Sequence, residues 1–94
     1  MNNNLVYMLY YHKVWYYSNK ELMLVTTDYN TLLNVIREKI KEGILHYGNI
    51  NSSIEKQLKL LDMELDIDIK DGKKLNNMLQ DGDIEVVENG KILL

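Results

Sequence analysis

Apolar and aromatic residues dominate the first 27 positions of the chain and are broken only by short polar clusters. An apolar run covers residues 5–11, resumes at residues 14–17 after His12 and Lys13, and resumes again at residues 22–25. Enrichment in β-branched and aromatic side chains with short turn signals between them is typical of strands. The pattern predicts an antiparallel meander of two or three strands.

The next segment has the spacing of an amphipathic helix. Asp28 can cap the free backbone N–H groups of a first turn. The apolar stripe that follows at helical spacing consists of Tyr29, Leu32, Leu33, Ile36 and Ile40. Gly43 comes after this stripe and can take the left-handed conformation that ends a helix. We therefore expect one long helix between Asp28 and Gly43.

Beyond a short connector, the period of the pattern changes within a single run. Ser52 and Glu55 match a capping box, which predicts a second, shorter helix. Its apolar face would consist of Ile54, Leu58 and Leu61. From Asp62 to Ile69 acidic and apolar residues alternate, and a period of two is typical of a half-buried strand.

The last third of the chain contains the clearest hairpin signal. Residues 73–80 fit either a helical turn or a strand, whereas Ile84–Val87 and Ile92–Leu94 flank Asn89-Gly90, which suits a type I′ turn. The sequence predicts a single α+β domain over residues 1–94, in which one long and one short helix pack on an antiparallel sheet. That sheet would combine the N-terminal meander with the C-terminal hairpin; the strand order, and whether there is one sheet or two, stay open.

Length and composition exclude several classes of protein. A chain of 94 residues supports one modest core, and the absence of cysteine excludes disulfides, thiolate catalysis and cysteine-ligated metals. The sequence starts without the basic region of a signal peptide and has no uninterrupted apolar run long enough to span a membrane. We expect a cytoplasmic protein without a membrane segment.

Candidate catalytic and metal-binding residues are few. His12 and His46 have no nucleophile at a recognisable spacing, and Ser52 and Ser53 fit a helix cap better than an active site. The acid pairs Asp66/Asp68 and Asp81/Asp83 do not match a calcium loop, and the five glycines form no phosphate-binding loop. The sequence therefore predicts neither an enzyme nor a metal or other cofactor.

Negative charge is concentrated in the second half of the chain. Residues 62–88 contain nine acids and three lysines, whereas residues 1–61 contain five acids and seven basic residues. On the predicted strand, the acids would form a row on one face at intervals of about 6.6–6.8 Å. Such a row could enter a basic nucleic-acid groove of a partner protein, or it could be a solvated face that keeps an edge from aggregating. The candidate binding acids are Asp62, Glu64, Asp66, Asp68, Asp81, Asp83 and Glu85.

Aromatic residues cluster near the start of the chain. Six of the eight aromatics lie between residues 7 and 17, and neither face of the first predicted strand is polar. One face must belong to the core, and the other must be covered by a helix, a second copy of the chain or a partner. The candidate anchors are Tyr10, Trp15, Tyr16 and Tyr17. Direct nucleic-acid binding is disfavoured, because only Lys13 and Lys20 are nearby and the net charge is −3.

Taken as a whole, the pattern resembles a group of small proteins from phages and mobile elements. The meander LVYMLYYHKVWYYSNKELMLVTT leads into the capped helix TDYNTLLNVIREKIKEG, and an acidic half follows in a short cysteine-free chain. This is similar to anti-CRISPR and other anti-defence inhibitors. The resemblance implies a stoichiometric inhibitor that acts in the host cytoplasm and binds a larger defence protein, such as a CRISPR effector, often by presenting acidic side chains to its basic nucleic-acid groove.

Three hypotheses follow from the sequence. The first is a non-enzymatic inhibitor that binds a nucleic-acid-handling protein through an acidic, partly aromatic surface. The second is an assembly module that self-associates, for example as a homodimer, through its aromatic N-terminal strands. The third, a small enzyme, requires a cleft in which histidine and acidic groups converge.

Overall fold

The computed structural model of the chain describes residues 5–12, 20–71 and 78–88. Within them the chain is α+β, as the sequence predicts, with an antiparallel sheet and two helices. In chain order the elements are β1 (Leu5–His12), β2 (Lys20–Thr26), α1 (Tyr29–Lys41), β3 (His46–Tyr47), α2 (Ile54–Asp71), β4 (Leu79–Gln80) and β5 (Gly82–Glu88).

The main sheet joins the two ends of the described chain. Its strand order is β2-β1-β5, and the central residue Leu9 lies opposite Leu24 of β2 and Ile84 of β5. A second, two-stranded sheet pairs β3 with β4, so the chain forms an antiparallel main sheet and a small separate one. The pairing of β1 with β2 confirms that part of the meander, and β5 confirms the first strand of the C-terminal hairpin. Residues 14–17 and 92–94, predicted as further strands, lie outside the described residues.

Helix α1 begins and ends where the sequence predicts. Asp28 caps it, because one carboxylate oxygen accepts from the Asn30 N–H at 3.3 Å and the other from the Thr31 hydroxyl at 2.7 Å. Gly43 follows the last turn with a φ of +79°, a conformation in which glycine has no steric penalty. Leu32, Ile36 and Ile40 are fully buried, as the apolar stripe requires.

Both helices pack on the same face of the main sheet. Together with the small sheet they enclose one cluster of buried residues, which consists of Tyr7, Leu9, Leu32, Ile36, Ile40, Leu45, Tyr47, Leu61, Leu65, Leu79 and Ile84. Tyr7 on β1 meets Tyr29 on α1 edge to face, with ring centroids 6.1 Å apart. The core therefore lies on one side of the sheet.

The predicted strand over residues 62–69 is wrong, because this segment is the second half of α2. In a strand, Met63 and Leu65 would share a face, but Met63 is 67% exposed and Leu65 is fully buried. Along α2, a buried or partly buried stripe is instead spaced by three and four positions, at Leu58, Leu61, Leu65 and Ile69. No glycine or proline interrupts the run, and extending an existing helix requires no new nucleation. With 18 residues, α2 is longer than α1 with 13, which also reverses the predicted long and short helices.

The start of α2 differs from the predicted capping box by one residue. Ser53, not Ser52, caps the helix, since its Oγ accepts from the Lys56 N–H at 3.2 Å. Next to it, the buried amide of Gln57 accepts from the Tyr47 N–H at 3.1 Å and donates to the Ser52 carbonyl at 2.9 Å. Gln57 thereby ties α2 to β3, in a segment that the sequence indicated only as a connector.

Candidate protein-interaction face

The row of acids expected near the middle of the second half does not exist. On a helix, consecutive residues are about 100° apart, so Glu64 lies about 200° around the axis from Asp62, and Asp66 about 40°. The Asp62 carboxylate is also neutralised within the molecule, because both of its oxygens accept from Nη1 of Arg37, at 2.5 and 2.6 Å. This hydrogen bond and the charge of Asp62 raise the pKa of Arg37.

Asp66 lies close to the aromatic pair of the core. Burial raises the pKa of Tyr7 and of Tyr29, and the negative charge of Asp66 raises both further. The side chain of Asp68 lies outside the described part of α2. The acids of α2 therefore do not provide the stiff, outward ladder that mimicry of a nucleic-acid strand requires.

The face of the main sheet opposite the helices carries a different set of residues. Side chains alternate between the two faces of a strand, and paired residues share a face. In one row across the sheet Val25, Met8 and Glu85 are neighbours, and in the next row Leu22, Tyr10 and Asp83 are neighbours. Val6 pairs with Val87 at one end, and His12 pairs with Lys20 at the other. We call these ten residues the open face.

The open face is apolar in the middle and at one end. Leu22 is 52% exposed and Val25 is 53% exposed, although both are large apolar residues of a regular strand. Val6, Met8, Tyr10 and Val87 beside them are partly exposed. No described helix packs on this side, since the core residues of α1 and α2 meet Tyr7, Leu9 and Ile84 on the other. Adjacent exposed apolar side chains on one face are typical of an interaction site.

The other end of the open face is a polar cluster centred on Asp83. One Asp83 oxygen, Oδ2, lies 2.8 Å from Nε2 of His12 and 3.2 Å from Nζ of Lys20. Lys20 Nζ also lies 5.1 Å from the centre of the Tyr10 ring, which is the distance of a cation–π contact. Partial burial alone would raise the pKa of Asp83, but the hydrogen bonds from His12 and Lys20 and their charges outweigh it and hold that pKa below its ordinary value.

The corner between β4 and β5 fixes the position of this cluster. Asp81 has a φ of +69°, its carbonyl accepts from the His12 N–H at 2.9 Å, and its Oδ2 lies 3.2 Å from Nδ1 of His46. A Cβ on Gly82 would come within 2.6 Å of the Tyr10 carbonyl oxygen, so only glycine lets β5 approach β1 this closely. Both histidines thus bind the same corner of the chain.

The sequence-predicted site residues separate into three groups. Tyr10, Asp83 and Glu85 lie together on the open face, and Asp81 lies next to it at the corner. Asp62, Glu64, Asp66 and Asp68 lie on α2, away from that face. Trp15, Tyr16 and Tyr17 lie outside the described residues.

Sequence reasoning missed the residues that surround Tyr10 and Glu85. They are Met8, His12, Lys20, Leu22 and Val25. The alternation of β1 was visible in the sequence, but the partners of each residue depend on a bulge in the pairing between Leu9 and Tyr10, which the sequence does not mark.

The described residues form no pocket in which histidines converge with acidic side chains. A groove of about 410 Å³ lies between β2 and the end of α1, and another of about 590 Å³ lies along the start of α2; neither is lined by a histidine. No three histidine, aspartate or glutamate side chains of the described residues are close enough together to hold a metal ion. None of the described helices is both long enough and apolar enough to cross a bilayer.

Comparisons with protein-family models, with curated proteins and with solved structures returned no match to this chain.

Proposed function

We propose that this chain is a non-enzymatic binding protein that docks the open face of its sheet on a partner protein and thereby inhibits or modulates that partner. The observation that carries the proposal is the exposure of Leu22 and Val25, each above one half, beside Met8 and Tyr10. Fully burying a side chain of this size contributes about 1.5–3 kcal/mol of favourable free energy. Covering the exposed half of Leu22 and of Val25 therefore contributes roughly 1 kcal/mol each to the free energy of binding.

The charges of the open face favour a protein as the occupant. The charge of Asp83 is balanced by Lys20, but Glu85 is exposed without a cation beside it among the described residues and would repel the phosphates of a nucleic acid and the headgroups of anionic lipids. Tyrosine is enriched at protein–protein contacts, and Tyr10 presents its ring beside Leu22 on this face. Inhibition of a nucleic-acid-handling defence protein in the host cytoplasm is the specific form of the proposal that the sequence resemblance favours. The binding surface of this chain would then be acidic and partly aromatic, but it would not include the row of acids predicted for residues 62–69.

Self-association through the aromatic strands has less support. Of the three tyrosines of β1, Tyr7 and Tyr11 pack against the core and only Tyr10 lies on the open face. Catalysis also has less support, because each described histidine lies beside a carboxylate that it helps to hold in place, outside the two grooves.

Affinity capture followed by measurement with the purified partner tests the proposal. Wild type is used to isolate a partner from extracts of the native host, and dissociation constants are then compared for wild type, Val25→Glu and Met63→Glu. We expect Val25→Glu to weaken binding at least tenfold, because it places a carboxylate in the apolar centre of the face. Met63→Glu is the matched control: Met63 is exposed on α2, away from the face, and should bind within twofold of wild type. Equal binding by Val25→Glu and wild type would reject the open face as the site.

A further inference from the structure

Glu85 is the one acid on the open face without a cation beside it among the described residues. Asp83 is neutralised by His12 and Lys20, whereas Glu85 makes no ion pair within the described chain and is exposed. Its cross-strand neighbour is Met8, and Val25 completes the row. A carboxylate therefore stands in the apolar part of the face, where any docked surface would remove its water.

Removing that water without compensation opposes docking. The desolvation cost of an unpaired carboxylate is comparable to or larger than the gain from burying two half-exposed apolar side chains. A surface that covers Val25 and Met8 must therefore place a positive charge against Glu85, or it must leave Glu85 outside the contact.

The open face of a second copy offers no unpaired cation, because His12 and Lys20 both lie beside Asp83. Two copies that pack face to face are related by a two-fold axis lying between the sheets. If the axis runs along the strands, rows keep their level and β5 lies over β2 of the second copy, which puts Glu85 over Val25. Lys20 is then two rows, or about 13 Å, away, and it is already paired with Asp83.

The other orientation brings acids together. If the two-fold axis runs across the strands, β5 lies over β5 of the second copy. An axis through the row of Met8 places Glu85 against Glu85, and an axis midway to the row of Tyr10 places Glu85 against Asp83. An axis through the row of Tyr10 places Glu85 at the level of His12 on the neighbouring strand, but that His12 already pairs with Asp83. Like charges cost free energy in the first two arrangements, and in neither orientation does Glu85 meet an unpaired cation.

We propose that the open face binds a foreign protein surface that carries a lysine or arginine opposite Glu85 between apolar side chains, and that Glu85 prevents two copies of this chain from pairing through the same face. This inference rests on the proposed function, because it names the partner chemistry of the same site. It predicts that the chain is a monomer and that the side chain of Glu85 prevents its dimerisation.

Sedimentation of the purified chain tests the second half of the proposal. We expect wild type to be monomeric up to high micromolar concentration, and Glu85→Val to dimerise at least tenfold more tightly, because valine completes an apolar row. The double variant Glu85→Val/Val25→Glu should again be monomeric. The control variant Glu55→Val, with its substitution on α2, should be monomeric like wild type. Circular dichroism and the melting temperature confirm that each variant is folded. A wild-type dimer, or a Glu85→Val chain that stays monomeric like wild type, overturns this half.

Binding of model peptides tests the first half. The probes are two acetylated octapeptides, one alternating leucine with lysine and one alternating leucine with glutamate, titrated into ¹⁵N-labelled protein at low salt. We expect the leucine–lysine peptide to shift the amides of Met8, Val25 and Glu85, and Glu85→Gln to weaken it about threefold to tenfold, the range of one partly desolvated charge pair. The leucine–glutamate peptide should not bind there.

The outcomes separate the two proposals. If both peptides shift the open face equally, the face is a docking surface but the charge preference is wrong. If the shifts lie elsewhere and Val25→Glu changes nothing, the open face is not the docking surface and the proposed function falls with it.

Discussion

The two faces of the three-stranded sheet differ in burial and in the residues that they carry. On the covered face Leu9 and Ile84 are almost fully buried under α1 and α2. On the open face Leu22 and Val25 are more than half exposed, and a cluster of charges occupies one end. The same strands therefore stabilise the fold through one set of alternating residues and leave the other set available for contact. Substitutions on the two faces should separate stability from binding.

The largest expected effect is a loss of stability when the covered face is truncated. Leu9→Ala removes a fully buried side chain from the middle of the core and should lower the free energy of unfolding by about 2–5 kcal/mol. Leu22→Ala is the same chemical change at a half-exposed position and should cost less than about 1 kcal/mol. Urea denaturation followed by circular dichroism measures both. Similar losses for the two variants would contradict the division between the faces.

An intermediate effect is expected at the polar cluster, and it should depend on pH. Because the folded-state pKa of Asp83 lies below its ordinary value of 3.8, the ionised carboxylate stabilises the fold above that pH. This contribution is lost as the pH falls through the lowered folded-state pKa. Asp83→Asn should therefore cost about 1 kcal/mol near pH 7, a moderate value since His12 and Lys20 are partly exposed and solvent screens them.

The pH series provides the control for Asp83. The difference in stability between wild type and Asp83→Asn should shrink between about pH 5 and pH 2, measured by thermal unfolding at constant ionic strength. Glu85→Gln, which removes a carboxylate from the same strand without breaking an ion pair of the described residues, should unfold like wild type near pH 7. A difference for Asp83→Asn that stays constant with pH would show that the carboxylate charge does not stabilise the fold.

The smallest expected effect on stability is at the centre of the open face. Val25→Glu replaces a side chain that is 53% exposed and should change the free energy of unfolding by no more than about 0.5 kcal/mol. The same variant is expected to lose partner binding at least tenfold. Chemical denaturation and a binding titration on one sample compare the two directly, and a stability loss above about 1.5 kcal/mol would mean that Val25 belongs to the core.

Helix α1 was predictable because its local signals agree with its packing. Asp28 supplies the cap, Gly43 the end, and Leu32, Ile36 and Ile40 form the one stripe that the core needs. The strand character of β1, β2 and β5 was predictable for a similar reason. Their order was not, since it depends on pairing between residues far apart in the sequence.

The second half of α2 was mispredicted because two periods coexist in it. Asp62 to Ile69 alternate as a strand would, but Leu58, Leu61, Leu65 and Ile69 also continue the helical stripe that starts the segment. Local alternation lost to tertiary packing, since the helix buries Leu61 and Leu65 against α1 and the sheet. The missing helix breaker before Asp62 was the available signal.

The candidate site was predictable only in part, for reasons of register. Tyr10, Asp83 and Glu85 were identified by type, as an aromatic and two acids, but nothing local places them side by side. The bulge after Leu9 decides which β2 residue lies next to Tyr10, and the left-handed Asp81 decides where β5 begins. Such features depend on the whole fold.

The central position of β1 has a consequence for how the chain is made. Leu9 and Ile84 are neighbours in the sheet although 75 positions separate them. During synthesis β1 leaves the ribosome before β5, so the edge of β1 that pairs with β5 stays without its hydrogen-bond partners until β5 has emerged. Pairing between residues so far apart in the sequence slows folding. A chain truncated before residue 82 would lack β5 and leave one edge of the apolar strand β1 unpaired, so we expect it to be degraded by proteases.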